Sequence, residues 1–402
     1  MSPLVARVQR IRALLGEGLV ERDEALRLGL LAALAGEHFL LVGPPGTAKS
    51  LLARRLHRAF RGRYFERLLT RFTVPEELFG PLSLRGLERD VYERLGEGYL
   101  PTATIAFLDE IFKANSAILN ALLGILNERV IDQGPRRDAV PLVSLVGASN
   151  ELPDDDELAA LSDRFVVRYV VEPVSREQFG ALLELDDRLP ELPDELRLDE
   201  HALAELRAAA KRVTVPPWVV EFLGDLRTRL GSASKSVYVS DRRWRKAAEL
   251  LRMAALLEGK DAVGLGELGL LEHVVWLRVD DRPTVETTLR RAFVEAFLSE
   301  PERYGAIVEA LEQSLHEDRA AEMQVVTQEG ALYTDPNGVD TLAPSSERAK
   351  RDASGALLFR APPNSARYAC NAEQLRGTSR RTKPRGGSVI RRTASSTRSR
   401  TS

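Results

Sequence analysis

The order of apolar and polar positions divides the chain into stretches of different character. Residues 1–36 carry apolar residues at helical spacing and are rich in alanine and leucine, which predicts helix. HFLLVG (38–43) is a continuous apolar run closed by glycine, the pattern of a strand buried on both faces. SLLARRLHRAF (50–60) returns to a helical stripe through Leu51, Leu52, Leu56 and Phe60. Three more apolar runs, TIAFLDE (104–110), LVSLVGASN (142–150) and FVVRYVV (165–171), follow at spacings that leave room for crossover helices. Such alternation predicts an α/β fold, a parallel sheet covered by helices on both faces. Two segments interrupt the crossovers. Residues 79–101 are rich in glycine and proline, and 129–142 reads as extended stretches around a hairpin-like turn at Gly134-Pro135.

From about 176 to 285 the pattern is helical, most clearly in PPWVVEFLGDLRTRL and SDRRWRKAAELLRMAALLEG. Asp241, next to Ser240, is expected to cap the second of these. Residues 286–325 continue helical, and from about 330 hydrophobic density falls while Ser, Thr, Arg, Gly and Pro dominate. That tail is expected to lack secondary structure. The predicted organisation is an α/β domain over 1–175, an all-α domain over 176–285, a helical extension over 286–330 and a basic low-complexity tail over 331–402.

Composition narrows the function. A 402-residue chain with 44% hydrophobic and 29% charged residues is that of a soluble globular protein with room for two or three domains. No apolar run approaches the ~20 residues needed to cross a bilayer, so membrane insertion is not expected. The N-terminus lacks a signal-peptide core, and the single cysteine, Cys370, suits a reducing compartment. The expected location is the cytoplasm. The net charge of −2 hides an asymmetry: nine Lys and Arg lie beyond Glu373, the last acidic residue. The remainder holds 48 basic against 59 acidic residues. An acidic body argues against a nucleic-acid-binding core.

Chemistry enters at GPPGTAKS (43–50), placed between a strand and a helix. It fits the phosphate-loop pattern G-x-x-x-x-G-K-[ST] except that Ala48 stands in place of the second glycine. Lys49 would reach the β/γ-phosphates and Ser50 would ligate Mg²⁺. Gly43 and Gly46 supply conformational freedom, and alanine fits at 48 if its φ is already helical. An isolated match of this kind is as often a glycine-rich turn with a surface lysine. The rest of the chain decides the matter. IAFLDE ends a buried strand in Asp109, suited to Mg²⁺, and Glu110, suited to activating water. Read alone, the two acids could merely cap the next helix. Asn150 ends another apolar strand and is a candidate γ-phosphate sensor, although an Asn there is usually a turn residue. Arg164 in LSDRF could stabilise charge on a transferring phosphoryl group, or form a surface pair with Asp163 or Asp156.

These motifs resemble the AAA+ ATPases of the MoxR group, and within it the RavA-type regulatory ATPases. The matching text is GPPGTAKSLLARRL, TRFTVPEELFGPLS, GYLPTATIAFLDEIFKANSAILNALLGILNER, GASNELP, LSDRF and YVSDRRWRKA, spread over residues 5–285. The group's phosphate loop commonly reads GxAKS, which accounts for Ala48. The resemblance implies an AAA+ αβα nucleotide-binding domain followed by an all-α lid, assembled into a hexameric ring, with ATP and Mg²⁺ as cofactors. It implies that Gly43, Pro44, Pro45, Gly46, Thr47, Ala48, Lys49, Ser50 and Leu51 hold the nucleotide, with Ser50 and Asp109 at the metal. Glu110, Asn150, Arg164 and Lys49 would serve catalysis, Asn150 as first sensor and Arg164 as a finger entering the adjacent subunit's site. The second sensor would be Arg242, or its neighbour Arg243, and the adenine would lie near Leu19, Val20 and Glu21. Segments 79–101 and 129–142 correspond to the group's insertions. RavA-type proteins continue into a compact β-rich module, which residues 330–402 do not resemble: the module has been lost, or the tail is aberrant sequence.

The function implied is Mg-ATP hydrolysis coupled to remodelling or maturing a protein client. The metal motif of a von Willebrand factor A (VWA) domain, D-x-S-x-S, does not occur, so a VWA-domain partner must be another chain. The alternatives are a related ATPase acting on DNA or metal insertion, and a nucleotide-binding ring scaffold with little turnover. Trp218, Trp244 and Trp276 read as lid core, and His38 and His57 lack partners at metal-ligand spacing.

Overall fold

The computed structural model describes residues 2–91, 93–133, 136–152, 156–185 and 190–299, with three short strands between 322 and 360. Residues 1–296 form one unit and 297–402 a second. Within the first unit the strands are β1 (Phe39–Val42), β2 (Arg63–Leu68), β3 (Ala103–Asp109), β4 (Val130–Gln133), β5 (Arg136–Ala139), β6 (Ser144–Ser149) and β7 (Val167–Val170). Five of them form a parallel sheet in the order β2-β3-β6-β1-β7.

The central strand β1 shows why this sheet needs two covering layers. All four of its residues are buried, and their side chains alternate between two cores. Phe39 and Leu41 join one cluster, and Leu40 and Val42 the other. The first layer contains α1 (Pro3–Gly16), α2 (Asp23–Ala35) and α3 (Lys49–Arg58). Gly29 of α2 sits against the Phe39 ring, where an added Cβ would come within 3.1 Å. The helix Ser116–Glu128 supplies the opposite layer through Ile118, Leu122 and Ile125. Strand β2 was not predicted. It is an edge strand, and RYFERL mixes charged and aromatic residues as a half-exposed edge permits. Strands β4 and β5 pair antiparallel as expected for 129–142. The turn at Gly134-Pro135 lies outside the described residues.

The lid is built from helices Glu200–Arg212, Pro217–Ser232, Asp241–Leu257 and Arg282–Ser299. Ser240, and not Asp241, is the cap of the third: its Oγ accepts from Arg243 N at 3.2 Å, and Asp241 is the first helical residue. The acid therefore complements the helix dipole from inside the first turn. Trp276 is buried, with Nε1 donating to Glu272 O at 2.7 Å, while Trp218 and Trp244 pack partly buried on the same core.

The second unit departs from expectation. Residues 322–326, expected to be helical, form β8, which pairs antiparallel with β9 (Leu342–Pro344) and β10 (Phe359–Arg360). The latter two fall in the tail read as lacking secondary structure. The low apolar density that suggested an unstructured tail does not prevent short strands from pairing. Residues 361–402, with their arginines, lie outside the described residues.

Candidate nucleotide site

Strand β1 ends at Val42 and α3 begins at Lys49, so residues 43–48 form the loop between them. Gly43 is required by proximity, since a Cβ there would lie 2.2 Å from Val171 O. Gly46 is required by conformation, at φ +80° with open space around it. Ala48 overturns the expectation of a helical φ. It stands at φ +67°, ψ +25°, in the left-handed region that a glycine would enter freely. Holding an L-residue there costs about 1 kcal/mol. Thr47 Oγ1 donates to Pro44 O at 2.9 Å and fixes the bend. Among the described residues, the amide N–H groups of Gly46, Thr47, Ala48, Lys49 and Ser50 meet no protein acceptor. Converging N–H groups at a helix N-terminus form a cradle for an anion.

The sheet register brings the other residues to this loop. Val42 lies level with Ser149, and Leu108 with Gly147, so the C-terminal ends of β1, β3 and β6 open on one side. There a cleft of about 700 Å³ is lined by residues 45–51, Arg54, Leu68, Asp109, Glu110 and Asn150. Ligands of open α/β sheets bind at such carboxyl ends. Lys49 is buried, and its Nζ donates to Gly43 O at 2.7 Å and Pro44 O at 2.8 Å, with Asn150 Oδ1 at 3.5 Å. Burial lowers the Lys49 pKa, against the opposing pull of Asp109 and Glu110. Asn150 Nδ2 donates to Glu110 Oε1, and Lys113 pairs with Glu110 Oε2 at 3.3 Å. Glu110 itself has φ +52°, and Asp109 Oδ1 accepts from its N–H at 3.0 Å. Three of the five described non-glycine residues at positive φ (Glu21, Ala48 and Glu110) belong to the phosphate loop, the catalytic candidates or the expected adenine segment. Backbone strain of this kind concentrates at functional sites.

The donor set fits Mg-ATP. Among the described residues no three His, Cys, Asp or Glu side chains form a cage for a metal. Mg²⁺ characteristically takes one or two protein oxygens and completes its shell with water and phosphate. The Ser50 hydroxyl and the Asp109 carboxylate line the same cleft and are of that kind.

Other predicted residues do not line the cleft. Arg164 is half-buried, with its Nε unpartnered, and forms no side-chain hydrogen bond or ion pair among the described residues. Asp163, offered as its surface partner, instead holds Arg242 Nη1 at 3.2 Å and Arg243 Nε at 3.1 Å. Arg243 is fully buried, bonded also to the carbonyls of Phe165, Val166 and Val274. Arg242 is the half-exposed member of the pair. Glu21 accepts from the Ser175 hydroxyl and, at 2.8 Å, from Ser175 N–H, which together hold its pKa down, and Leu19 packs on the core. Val20 is half-buried in the same segment.

Sequence reading passed over Arg22 and Arg54. The buried Arg22 gathers the carbonyls of Glu21, Thr47 and Glu172 at 2.9, 3.2 and 2.8 Å, tying the phosphate loop to the segment before the lid. Arg54 lines the cleft mouth and is held bidentate by Glu66 at 2.9 and 3.0 Å. Nothing in the sequence marks either one, because each acts through a carbonyl or a strand that is distant along the chain or was not predicted.

Comparison with known proteins agrees with this geometry. Residues 6–206 match the model of the MoxR domain in the MoxR-vWA-beta-propeller ternary systems. The chain belongs to the MoxR family of AAA+ ATPases. Residues 218–289 match the AAA lid domain. This MoxR-family chain is 41% identical over 283 residues to an uncharacterised protein of Methanocaldococcus jannaschii, covering 70% of this chain and 73% of that one. It is 27% identical over 164 residues to Chaperone MoxR1 of Mycobacterium tuberculosis, covering 40% and 43%. A solved structure of an ATPase candidate from Cytophaga hutchinsonii superposes with a TM-score of 0.56 at 18% identity, over 71% of this chain and 94% of that one. That likeness shows the shared fold, an αβα domain followed by a helical lid. Among the described residues no helix is long and apolar enough to cross a membrane.

Proposed function

We propose that this MoxR-family chain hydrolyses Mg-ATP at the cleft between β1, β3 and β6. The observation that carries the reading is the convergence of Lys49, Asp109, Glu110 and Asn150 on one cleft beside a loop of unpaired amide groups. In this reading Lys49 and the loop amides bind the β/γ-phosphates, and Ser50 and Asp109 hold the metal. The metal supplies charge neutralisation on the phosphates. Glu110 orients and deprotonates the attacking water, and Asn150 holds the Glu110 carboxylate in place. Arg164 is supplied to the site of an adjacent subunit in a ring, hexameric as the resemblance implies. The lid contributes Arg242, since Arg243 is committed to buried carbonyls.

The turnover serves remodelling or maturation of a protein client in the cytoplasm, with a VWA-domain protein as partner. Support for the partner is the description of the matched domain, which sets MoxR beside vWA and β-propeller proteins. That description favours such a ternary system over the RavA-type branch. The test is steady-state ATP hydrolysis against protein concentration, with mass followed by light scattering. Specific activity that rises as a ring forms supports a shared hydrolytic site. Negligible activity in an assembled, nucleotide-bound ring replaces this reading with a scaffold.

A further inference from the structure

The chain around Arg164 is fastened to the lid on both sides of that residue. One position before it, Asp163 grips two consecutive arginines of the lid helix Asp241–Leu257. Its Oδ1 accepts from Arg243 Nε at 3.1 Å and its Oδ2 from Arg242 Nη1 at 3.2 Å. Its main-chain carbonyl accepts from the same two side chains, at 3.0 Å from Arg242 Nη1 and 3.1 Å from Arg243 Nη2. Four positions after Arg164, the fully buried Arg168 donates to the carbonyls of Trp276 and Leu277 at 2.8 and 2.7 Å. Arg164 lies between these anchors with no hydrogen-bonded partner for its own side chain among the described residues.

The two arginines on Asp163 are unequal. Arg243 has a side-chain exposure of 0%, and withdrawing it would strand the buried carbonyls of Val166 and Val274. Arg242 has 33% exposure and bonds only to Asp163 among the described residues. A half-exposed pair of that kind, partly screened by solvent, separates more readily than the buried one. Arg242 also lies close enough to Arg164 to repel its charge.

We propose that Asp163 is a positioning residue, the joint through which the lid sets where Arg164 stands, with Arg243 as its fixed half and Arg242 as its releasable half. A lid movement that draws Arg242 away leaves Asp163 to Arg243 alone and removes a cation from beside Arg164. The state of one subunit's lid is thereby carried to the residue it offers its neighbour. This rests on the reading of Arg164 as a group supplied to an adjacent site.

The test uses rings mixed from two kinds of full-length subunit. Glu110→Gln subunits keep Arg164 but lack the base, and Arg164→Ala subunits keep the base but lack the arginine. Hydrolysis then arises only where the first kind serves the second. Asp163→Asn is added to the Glu110→Gln subunits alone. The expected result is a fall in kcat approaching about 10²-fold, the scale set by misplacing a catalytic group by about 1 Å. KM should be unchanged, because the hydrolysing subunit is untouched, and Asp163→Glu should restore part of the rate. Arg242→Ala in the same donor subunits, which spares the buried carbonyl contacts, should also lower kcat at constant KM. Undiminished kcat with either donor variant overturns the joint. A fall in kcat that tracks loss of ring mass assigns Asp163 to assembly and also overturns it. An inactive reference mixture overturns the shared-site reading itself, and the proposal with it.

Discussion

Asn150 bridges Lys49 and Glu110: its Oδ1 faces the Lys49 ammonium at 3.5 Å and its Nδ2 donates to Glu110 Oε1. One amide thus satisfies a cation on one side and an acceptor on the other, across the ends of β6, β1 and β3. A carboxylate in this position could not donate to Glu110. The arrangement ties the conformation of the candidate base to the lysine proposed to bind the phosphates.

Glu110→Gln should retain nucleotide binding, since the loop amides and Lys49 are untouched, while hydrolysis falls by roughly 10²–10⁴-fold as expected for loss of a general base. Fluorescent-nucleotide titration beside phosphate release separates the two effects. Normal turnover in the variant would remove Glu110 from the role of base.

Arg164→Ala should lower kcat by about 10³-fold, within the range seen when a trans arginine is lost, with nucleotide affinity nearly unchanged. Among the described residues, the half-buried side chain with its unpartnered Nε makes no hydrogen bond within its own subunit to lose. Melting temperature should therefore hold. A drop in nucleotide affinity matching the loss of rate would place Arg164 in its own subunit's binding site instead.

Ala48→Gly tests the left-handed cap of α3. Relief of the L-residue penalty at φ +67° is worth about 1–2 kcal/mol. Glycine's greater freedom in the unfolded chain takes back about 0.5–1 kcal/mol. The net expectation is a gain of about 0.5 kcal/mol in denaturant unfolding, with nucleotide affinity retained. Ala48→Val should do the opposite on both counts, because a β-branched side chain is poorly tolerated there. A stabilising valine would contradict the observed backbone.

The strands that carry the site were legible because they are buried on both faces, and continuous apolar runs such as FLLV and SLVGAS announce themselves. Asp109, Glu110 and Asn150 could be named since acids and amides ending such runs stand out against them. What escaped was whatever depends on contacts remote in sequence. Strand β2 escaped because an edge strand may carry charge, and Arg22 because its three carbonyl partners include Thr47 and Glu172. The unequal burial of Arg242 and Arg243 shows only once the lid is placed against Asp163. The backbone of Ala48 was misjudged because an alanine beside a helix start gives no sign of a positive φ.

Acid should destabilise the first unit before its carboxylates titrate. Burial holds His273 down to about 4 from an ordinary 6.5, with Glu24 at 3.7 Å opposing and Arg27 and Arg282 adding to the depression. His38, buried beside Arg129, is likewise held well below its ordinary value. Below pH 6.5 the unfolded chain takes up protons on these imidazoles while the folded chain does not. Stability is therefore full above that pH and falls as pH drops toward 4, by up to about 1.4 kcal/mol per pH unit for each histidine. Urea unfolding between pH 7 and 4.5 should show this decline, and His273→Gln should flatten its slope by about one proton. An unchanged slope in the variant would mean that His273 takes up its proton in the folded chain as readily as in the unfolded one.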